Sequence, residues 1–175
     1  MRLRRLTAFL AGTCACGVVA VHAERPPGYE GSESSTVYSD SIDSKRTTVR
    51  NLACDARVPP DFALAVLDKE SGFDNAMRGS IGEIGASQIL PSTAVSFGFD
   101  VKRLAAEFSY NAQAGIAILR GLLAETRGDQ LKALLTYRAG PRWLTLPPRA
   151  QNRVRAYASA VVDLMRTRYA GVSCQ

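Results

Sequence analysis

Apolar residues recur at helical spacing along the chain from residue 47 onward, and no convincing alternation of apolar and polar residues indicates a strand. The pattern predicts six helices, over residues 47–56, 60–71, 91–97, 111–127, 129–138 and 148–169. Pro60 and Pro91 stand near first-turn positions and Asp129 is a candidate N-cap, which supports these helix starts. The helix over 111–127 is expected to serve the core, without a chemical role. A mainly α-helical domain is therefore predicted.

One acidic residue falls on the apolar side of its predicted helix. At about 100° per residue, Ala63, Val66 and Leu67 lie within roughly 60° of Glu70 around the helix axis. Burial of an isolated carboxylate is costly, so such a group is neutralised, paired or used with a raised pKa. Glu70 is therefore the first candidate for chemistry.

The segment over residues 78–91 interrupts the helical pattern with three glycines and two serines. Glycine-rich backbone turns sharply or lets another group approach closely. We expect a small β-hairpin or a loop that lines a cleft beside Glu70, and a plain interhelical connection is the alternative.

The N-terminal region is organised differently from the rest. Residues 1–23 have the pattern of a secretory signal peptide, with arginines at the start, an apolar middle and a cleavage site ending at Ala23. A membrane anchor is the alternative, but Gly12 and Gly17 break the short apolar run. Residues 24–46 are rich in Ser, Gly, Pro and acids, so a flexible leader is predicted before a folded domain over the remaining residues 47–175. This organisation predicts an exported protein.

Four cysteines are divided between the two regions. Removal of the signal peptide takes Cys14 and Cys16 and leaves Cys54 and Cys174 in an oxidising compartment. A disulfide between the remaining pair would close a long loop, which the chain-entropy model values at roughly 5 kcal/mol. Two free, buried thiols are the alternative.

The folded region is moderately basic. From residue 47 onward, 16 lysines and arginines face 11 acidic residues, a net charge of +5. This balance suits an acidic polymer or an anionic cell envelope, although ordinary solvated arginines would explain it equally well. Export disfavours nucleic acid as a partner, and no stable membrane span is expected once the signal peptide is cleaved.

The sole histidine, His22, lies in the predicted signal peptide. A Ser-His-Asp or Cys-His nucleophilic site and a zinc site are therefore disfavoured, and neither a metal nor a cofactor is predicted. Carboxylates and tyrosines remain as the candidate catalytic groups. A half-buried Glu70 would hold its proton near neutral pH, as a general acid that protonates a leaving oxygen must. Glycoside cleavage is the reaction class that most often uses such a group.

Four further segments stand out along the chain: "ESGFDNAMRGSIGEIGASQILPSTA", "YNAQAGIAILRGLLAE", "ALLTYRAGP" and "RVRAYASAVV". In this order they resemble the successive motifs of the soluble lytic transglycosylase (SLT) domain family. The resemblance spans residues 49–162, which is nearly the whole predicted domain. It implies an almost entirely α-helical, lysozyme-like fold that cuts peptidoglycan.

The family's catalytic glutamate matches Glu70, and the serine that follows it matches Ser71. The resemblance implies that Glu70 protonates the glycosidic oxygen between N-acetylmuramic acid and N-acetylglucosamine in peptidoglycan glycan strands. The same group then acts as a base while the muramyl 6-hydroxyl attacks its own anomeric carbon, which gives a 1,6-anhydro sugar. Because that hydroxyl is intramolecular and the substrate's acetamido group assists, one protein carboxylate can suffice.

The other matched motifs imply further substrate-binding residues besides Ser71. Gln88 takes the place of a glutamine that hydrogen-bonds the sugar or orients the acid. Tyr137 would approach the glutamate or the substrate from across the cleft, and Tyr157 matches the tyrosine near the C-terminal motif.

The sequence also departs from the family pattern. The family's Leu-Met pair has become Ala86 and Ser87, which we expect to remove apolar bulk from the cleft wall, and its asparagine has become Arg138. A usual serine has become Gly79. Where a small residue is usual, Glu83 resembles the acid of the secretion-system-associated branch of the family.

Glu83 has two interpretations. In the first, it would face Glu70 as a second carboxylate that stabilises an oxocarbenium ion or activates water. In the second, it is a solvated residue of the 78–91 segment. The leading hypothesis is a periplasmic lytic transglycosylase. Its small size and lack of wall-binding repeats favour one that opens the wall locally for a secretion or conjugation apparatus. A lysozyme-type hydrolase that uses Glu83 and a non-catalytic wall-binding scaffold are the alternatives.

Overall fold

The computed structural model describes residues 41–174, so the predicted signal peptide and most of the predicted leader lie outside the described residues. The helices of the described region, in chain order, are α1 (Ile42–Asp55), α2 (Pro60–Ser71), α3 (Pro91–Ser96), α4 (Val101–Ala106), α5 (Phe108–Glu125), α6 (Gln130–Ala139), the 3-10 helix η1 (Trp143–Thr145) and α7 (Pro148–Thr167). The mainly α-helical fold is confirmed. The predicted bounds of α2 are confirmed, whereas the short helix α4 was not predicted.

The first helix begins earlier than its apolar pattern suggests. Ser41 caps it, because the side-chain oxygen accepts a hydrogen bond from the backbone N–H of Ser44 at 3.2 Å. Residues 42–46 are therefore helical, and the prediction that the flexible leader runs to residue 46 is wrong for this part. Serine and aspartate here support a helix start, although the same composition favoured a leader.

Helix α2 is the centre of the main hydrophobic core. All six residues from Phe62 to Leu67 are buried, and α2 contacts α1, α5 and α7. Gly72 ends the helix in a left-handed conformation with φ of 62°, which glycine adopts without steric cost. A helix held on several sides presents its last turn, with Glu70, in a fixed position.

The segment between α2 and α3 contains no named strand in the described structure. Two isolated antiparallel bridges join Arg78 to Ile84 and Ile84 to Ile89, so the expected hairpin is a looped segment with bridge pairs. Ile84 and Ile89 are buried in a second, smaller core that includes Leu104 and Ile118. The loop over 78–91 is therefore anchored by its own apolar side chains.

Two links fasten the start of the domain and α2 to its C-terminal end. The predicted disulfide is present between Cys54 and Cys174, with Cα atoms 5.7 Å apart. The side chain of Asp68 on α2 accepts hydrogen bonds from Arg168 at 2.7 Å and from the Tyr169 hydroxyl at 2.8 Å.

None of the helices between residues 41 and 174 is both long and apolar enough to cross a membrane.

Candidate active site

Glu70 lies in the last turn of α2, where the helix meets a cleft. Its Oε1 accepts a hydrogen bond of 2.6 Å from the hydroxyl of Tyr157 on α7. Tyr157 is itself buried. Helices α2 and α7, which pack against each other, thus bring Tyr157 to Glu70, a contact that the sequence analysis did not predict.

Burial raises the pKa of the Glu70 carboxyl above its ordinary value, and this is the largest influence on it. The hydrogen bond from Tyr157 and the positive charges of Arg138 and Lys69 lower the pKa, while the negative charge of Glu83 raises it. The net direction is upward. Glu70 therefore keeps its proton to a higher pH than an exposed glutamate would.

The cleft brings together residues from α2, the 78–91 loop, α6 and α7. The residues predicted from the sequence that line it are Glu70, Glu83, Gln88, Tyr137 and Tyr157. Arg138 lines each of the adjoining recesses, and its guanidinium carbon lies 5.5 Å from the ring centre of Tyr157. Lys69 also lines the recess that contains Glu70, so the site combines two carboxylates, two tyrosines and two cations.

Tyr137 reaches across the cleft from α6. Its hydroxyl donates a hydrogen bond of 2.6 Å to the backbone carbonyl of Ser87. Burial, and next the charge of Glu70, raise the pKa of Tyr137 well above its usual range, so the phenol stays neutral and able to donate. Tyr137 therefore joins α6 to the 78–91 loop while its ring lines the cleft.

Gln88 adopts a left-handed backbone conformation, with φ of 46°. Its side-chain Nε2 donates to the backbone carbonyl of Gly85 at 2.9 Å. The amide nitrogen thus stabilises the turn over residues 85–88, and the side chain still lines the recess that contains Glu70. The contact between Gln88 and a sugar stays a prediction.

Glu83 is half-buried and lines the same recesses as Glu70. Its Oε2 accepts a hydrogen bond of 3.0 Å from the backbone N–H of Ile81. The carboxylate also occupies the space beside Gly79 that a side chain there would need, because a Cβ at Gly79 would overlap it. Glu83 is therefore held in place by its own loop.

Ser71 and the Ala86–Ser87 pair lie away from the surface of the cleft. The Ser71 hydroxyl donates to the carbonyl of Ala86 at 2.8 Å and accepts from the N–H of Asp74 at 3.1 Å. Both Ala86 and Ser87 are fully buried, so neither side chain forms the surface of the cleft, and the expected loss of apolar bulk there stays a prediction. The contact of Ser71 with substrate remains a prediction, since in this structure its hydroxyl holds the loop.

Sequence analysis missed Asn111, a fully buried residue of α5. Its Oδ1 accepts from the N–H of Ser87 at 2.8 Å, and its Nδ2 donates to the carbonyls of Ile84 at 3.0 Å and Leu104 at 3.1 Å. A Cβ at Gly85 would overlap the Asn111 amide. Asn111 therefore fixes the loop to the helical core together with Ser71 and Tyr137, and it makes the largest number of these bonds.

A signal for this role was present in the sequence. Asn111 stands three, four and seven positions before the buried residues Ala114, Gly115 and Ile118, on one face of α5. A buried amide requires hydrogen-bond partners. The helix to which no chemistry was assigned therefore supplies the main polar anchor of the site.

Comparison with known families gives a match to the model described as "Transglycosylase SLT domain" over residues 47–157. The match covers more than half of the chain and includes every predicted site residue except Cys174. The resemblance seen in the sequence motifs is confirmed, and its secretion-associated branch is not addressed by this match.

Two solved structures share the helical fold. An inactive mutant of the lytic transglycosylase Slt from Pseudomonas aeruginosa matches with a TM-score of 0.58 and 21% identity, over 73% of this chain and 25% of that one. The 70 kDa soluble lytic transglycosylase Slt70 from Escherichia coli matches with a TM-score of 0.51 and 17% identity, over 70% of this chain and 21% of that one. The chain thus spans about a quarter or less of the length of these proteins.

Proposed function

The chain belongs to the transglycosylase SLT domain family, and from that membership we propose that it is a peptidoglycan lytic transglycosylase. It would cleave the β-1,4 bond between N-acetylmuramic acid and N-acetylglucosamine and leave a 1,6-anhydro end. The observation that carries the proposal is the buried, cleft-lining carboxyl of Glu70, whose pKa is raised.

The first step requires a proton on Glu70. A general acid works best when its pKa lies near the working pH, and burial moves the pKa of this carboxyl in that direction. Glu70 would protonate the glycosidic oxygen as the bond to the muramyl anomeric carbon breaks. The charge of Glu83 supports this role, because it also disfavours ionised Glu70.

The second step requires Glu70 as a base. After proton transfer the carboxylate is negative, and the hydrogen bond from Tyr157 stabilises that charged form. Ionised Glu70 would take the proton of the muramyl 6-hydroxyl as its oxygen forms a bond to the anomeric carbon. The leaving strand keeps the first proton, the ring closes to the anhydro sugar, and no water is consumed.

The other lining residues would position the strand. We assign Gln88 and Tyr137 to binding the sugar beside Glu70, since both line its recess and both are fixed by hydrogen bonds to the 78–91 loop. Ser71 would act on the same recess through that loop. Preorganised groups of this kind lower the cost of reaching the reactive geometry.

Digestion of purified sacculi tests the proposal. Mass spectrometry of the released fragments should find anhydro-muramyl ends with the unaltered protein and no release with the Glu70→Gln variant. Matched thermal unfolding of the two proteins controls for loss of fold. Absence of soluble fragments from a folded, unaltered protein would contradict the proposal.

A lysozyme-type hydrolase is the second candidate, favoured by the presence of Glu83 in the recess of Glu70. A second carboxylate can stabilise the oxocarbenium ion or activate water, which would give reducing ends. The Glu83→Gln variant should then lose the reducing-end products and keep any anhydro products. If the ratio of the two products is unchanged in this variant, Glu83 has no hydrolytic role.

We also propose that the protein acts in the periplasm and opens the wall locally for a secretion or conjugation apparatus. The support is the resemblance of the Gly82–Gly85 stretch to the secretion-associated branch, together with the signal-peptide pattern of residues 1–23. In the native host, loss of the protein should lower transport and be restored by the unaltered chain but not by Glu70→Gln. Normal transport without the protein would exclude this role.

A further inference from the structure

The C-terminal part of the chain, which forms one side of the cleft, is rich in basic residues. From residue 130 to residue 162 the sequence carries one lysine and five arginines and no acidic residue. This stretch forms α6, η1 and most of α7. Two of these arginines, Arg138 and Arg153, line recesses at or beside the one that contains Glu70, whereas Lys132 pairs with Asp129.

A groove adjoining that recess carries much of this charge. It has a volume of about 580 Å³ and is lined by the cations Lys69, Arg138 and Arg153 and by one carboxylate, Glu83. Its apolar side chains are Leu146, Ala150, Val154 and Ala156. The groove is large enough for a sugar substituent or a short peptide, and it offers that ligand an apolar surface with a cationic border.

Within the described residues, the cations of the groove are not neutralised by hydrogen-bonded or ion-paired carboxylates, and Arg138 contacts the ring of Tyr157. Among residues 41–174, the side chains of Lys69, Arg138 and Arg153 make no hydrogen bond or ion pair, whereas Arg103 pairs with Glu107 at 2.8 Å. The only carboxylate of the groove, Glu83, accepts its hydrogen bond from its own loop. Three cations are thus available to an anionic ligand.

Arg138 and Arg153 are placed to act together on one ligand. Arg138 lies over the ring of Tyr157, which in turn is hydrogen-bonded to Glu70. Arg153 precedes Tyr157 by four positions on α7, so the two side chains share a helix face. A ligand that touches both arginines would lie next to the bond that Glu70 cleaves.

We propose that this groove is a carboxylate-binding subsite that recognises the peptide substituents of the glycan strand. Arg138 and Arg153 bind a free carboxylate of a substituent next to the cleaved bond, since a planar guanidinium forms paired, charge-assisted hydrogen bonds to a carboxylate. The protein therefore prefers strands whose peptides keep their negative charge. The inference rests on the proposed cleavage of glycan strands and deepens it.

The test compares two preparations of soluble peptidoglycan strands. One keeps its peptide carboxylates, and in the other they are converted to methyl amides. Binding is measured by calorimetry with the full mature chain carrying Glu70→Gln, which prevents cleavage. We expect roughly tenfold tighter binding to the carboxylate form, and loss of that difference when Arg138→Gln or Arg153→Gln is added.

The control is Arg120→Gln in the same background. Arg120 is exposed on α5, lines a different groove and makes no side-chain hydrogen bond among the described residues, so its removal lowers the net charge equally. Thermal unfolding checks that each variant is folded. Retention of the preference by Arg120→Gln supports a local subsite, and its loss there would indicate general electrostatic attraction and overturn the inference.

Cleavage by the unaltered protein separates this inference from the proposed function. Faster digestion of the carboxylate strands supports the subsite. Equal digestion of both preparations overturns the subsite and leaves strand cleavage standing. Digestion of neither preparation contradicts the proposed function, and the subsite with it.

Discussion

Asn111 is the position where a single change should most weaken the attachment of the 78–91 loop to the core, which Ser71 and Tyr137 also hold. In Asn111→Ala, the N–H of Ser87 and the carbonyl of Leu104 lose the partners that the amide supplies at 2.8 and 3.1 Å. The carbonyl of Ile84 loses one of two partners, because it also accepts from the N–H of Ile89. The cost therefore falls mainly on two backbone groups.

The magnitude follows from these two groups. A buried polar group left without a partner costs about 1–3 kcal/mol, so the substitution should lower the free energy of unfolding by about 2–6 kcal/mol. A domain of this size has a total stability of about 5–15 kcal/mol, so the substitution should remove a large fraction of it. Activity should fall further than the folded fraction, because the 84–88 backbone carries Gln88 and adjoins Glu83.

Urea unfolding with the disulfide intact measures the change in stability, and sacculus digestion at a temperature where the variant is folded measures activity. Asn51→Ala is the matched control, since Asn51 is exposed on a helix and makes no side-chain hydrogen bond among the described residues. A stability loss below about 1 kcal/mol in Asn111→Ala would refute the assignment of these bonds as the anchor. Full sacculus-digesting activity of Asn111→Ala, at the same folded fraction as the unaltered protein, would refute it as well.

Other consequences can be tested separately. Tyr157→Phe removes a bond that lowers the pKa of Glu70, so the decline of activity at alkaline pH should move upward, and an unchanged pH profile would contradict the acid role. Glu70→Gln should raise the melting temperature at a pH well above about 4.3, the pKa of glutamate in the unfolded chain, but not at a pH below it. The raised pKa of Glu70 in the folded protein makes its ionisation destabilising only at the higher pH, so equal effects at the two pH values would argue against burial as the cause. Gly85→Ala should destabilise more than Gly82→Ala, since both have positive φ but only the former meets asparagine side chains, and calorimetry should detect the difference. Reduction of the disulfide, whose cysteines are 120 positions apart, should lower the free energy of unfolding by about 5 kcal/mol, and an unchanged denaturation midpoint would exclude the chain-entropy account.

The helices were predictable to the extent that their own sequence specifies them. Pro60 and the glycine after Ser71 mark both ends of α2, and its bounds agree with the prediction. Helix α4 has only six residues, with Asp100 as its N-cap. So few positions are not enough to show the helical spacing of apolar residues. The β-hairpin expected between α2 and α3 is reduced to bridge pairs because backbone bonds there alternate with bonds to asparagine side chains.

The candidate site was predictable where a residue stood out chemically. Glu70 is conspicuous as an acid on an apolar face, and the motif resemblance added Tyr157, to which it is hydrogen-bonded. The contacts of Ser71 and Asn111 are with backbone groups distant in sequence, so they depend on how the loop returns to the helices. The local pattern of apolar and polar residues does not predict such contacts between segments distant in sequence.

The overlap between the Glu83 carboxylate and the space beside Gly79 has an evolutionary consequence. A side chain at position 79 would require the end of the Glu83 side chain to move, because both need the same volume. The effect of a substitution at one of these positions therefore depends on the residue at the other. Among relatives, we expect the two positions to vary together, with a side chain at 79 less frequent where position 83 is an acid.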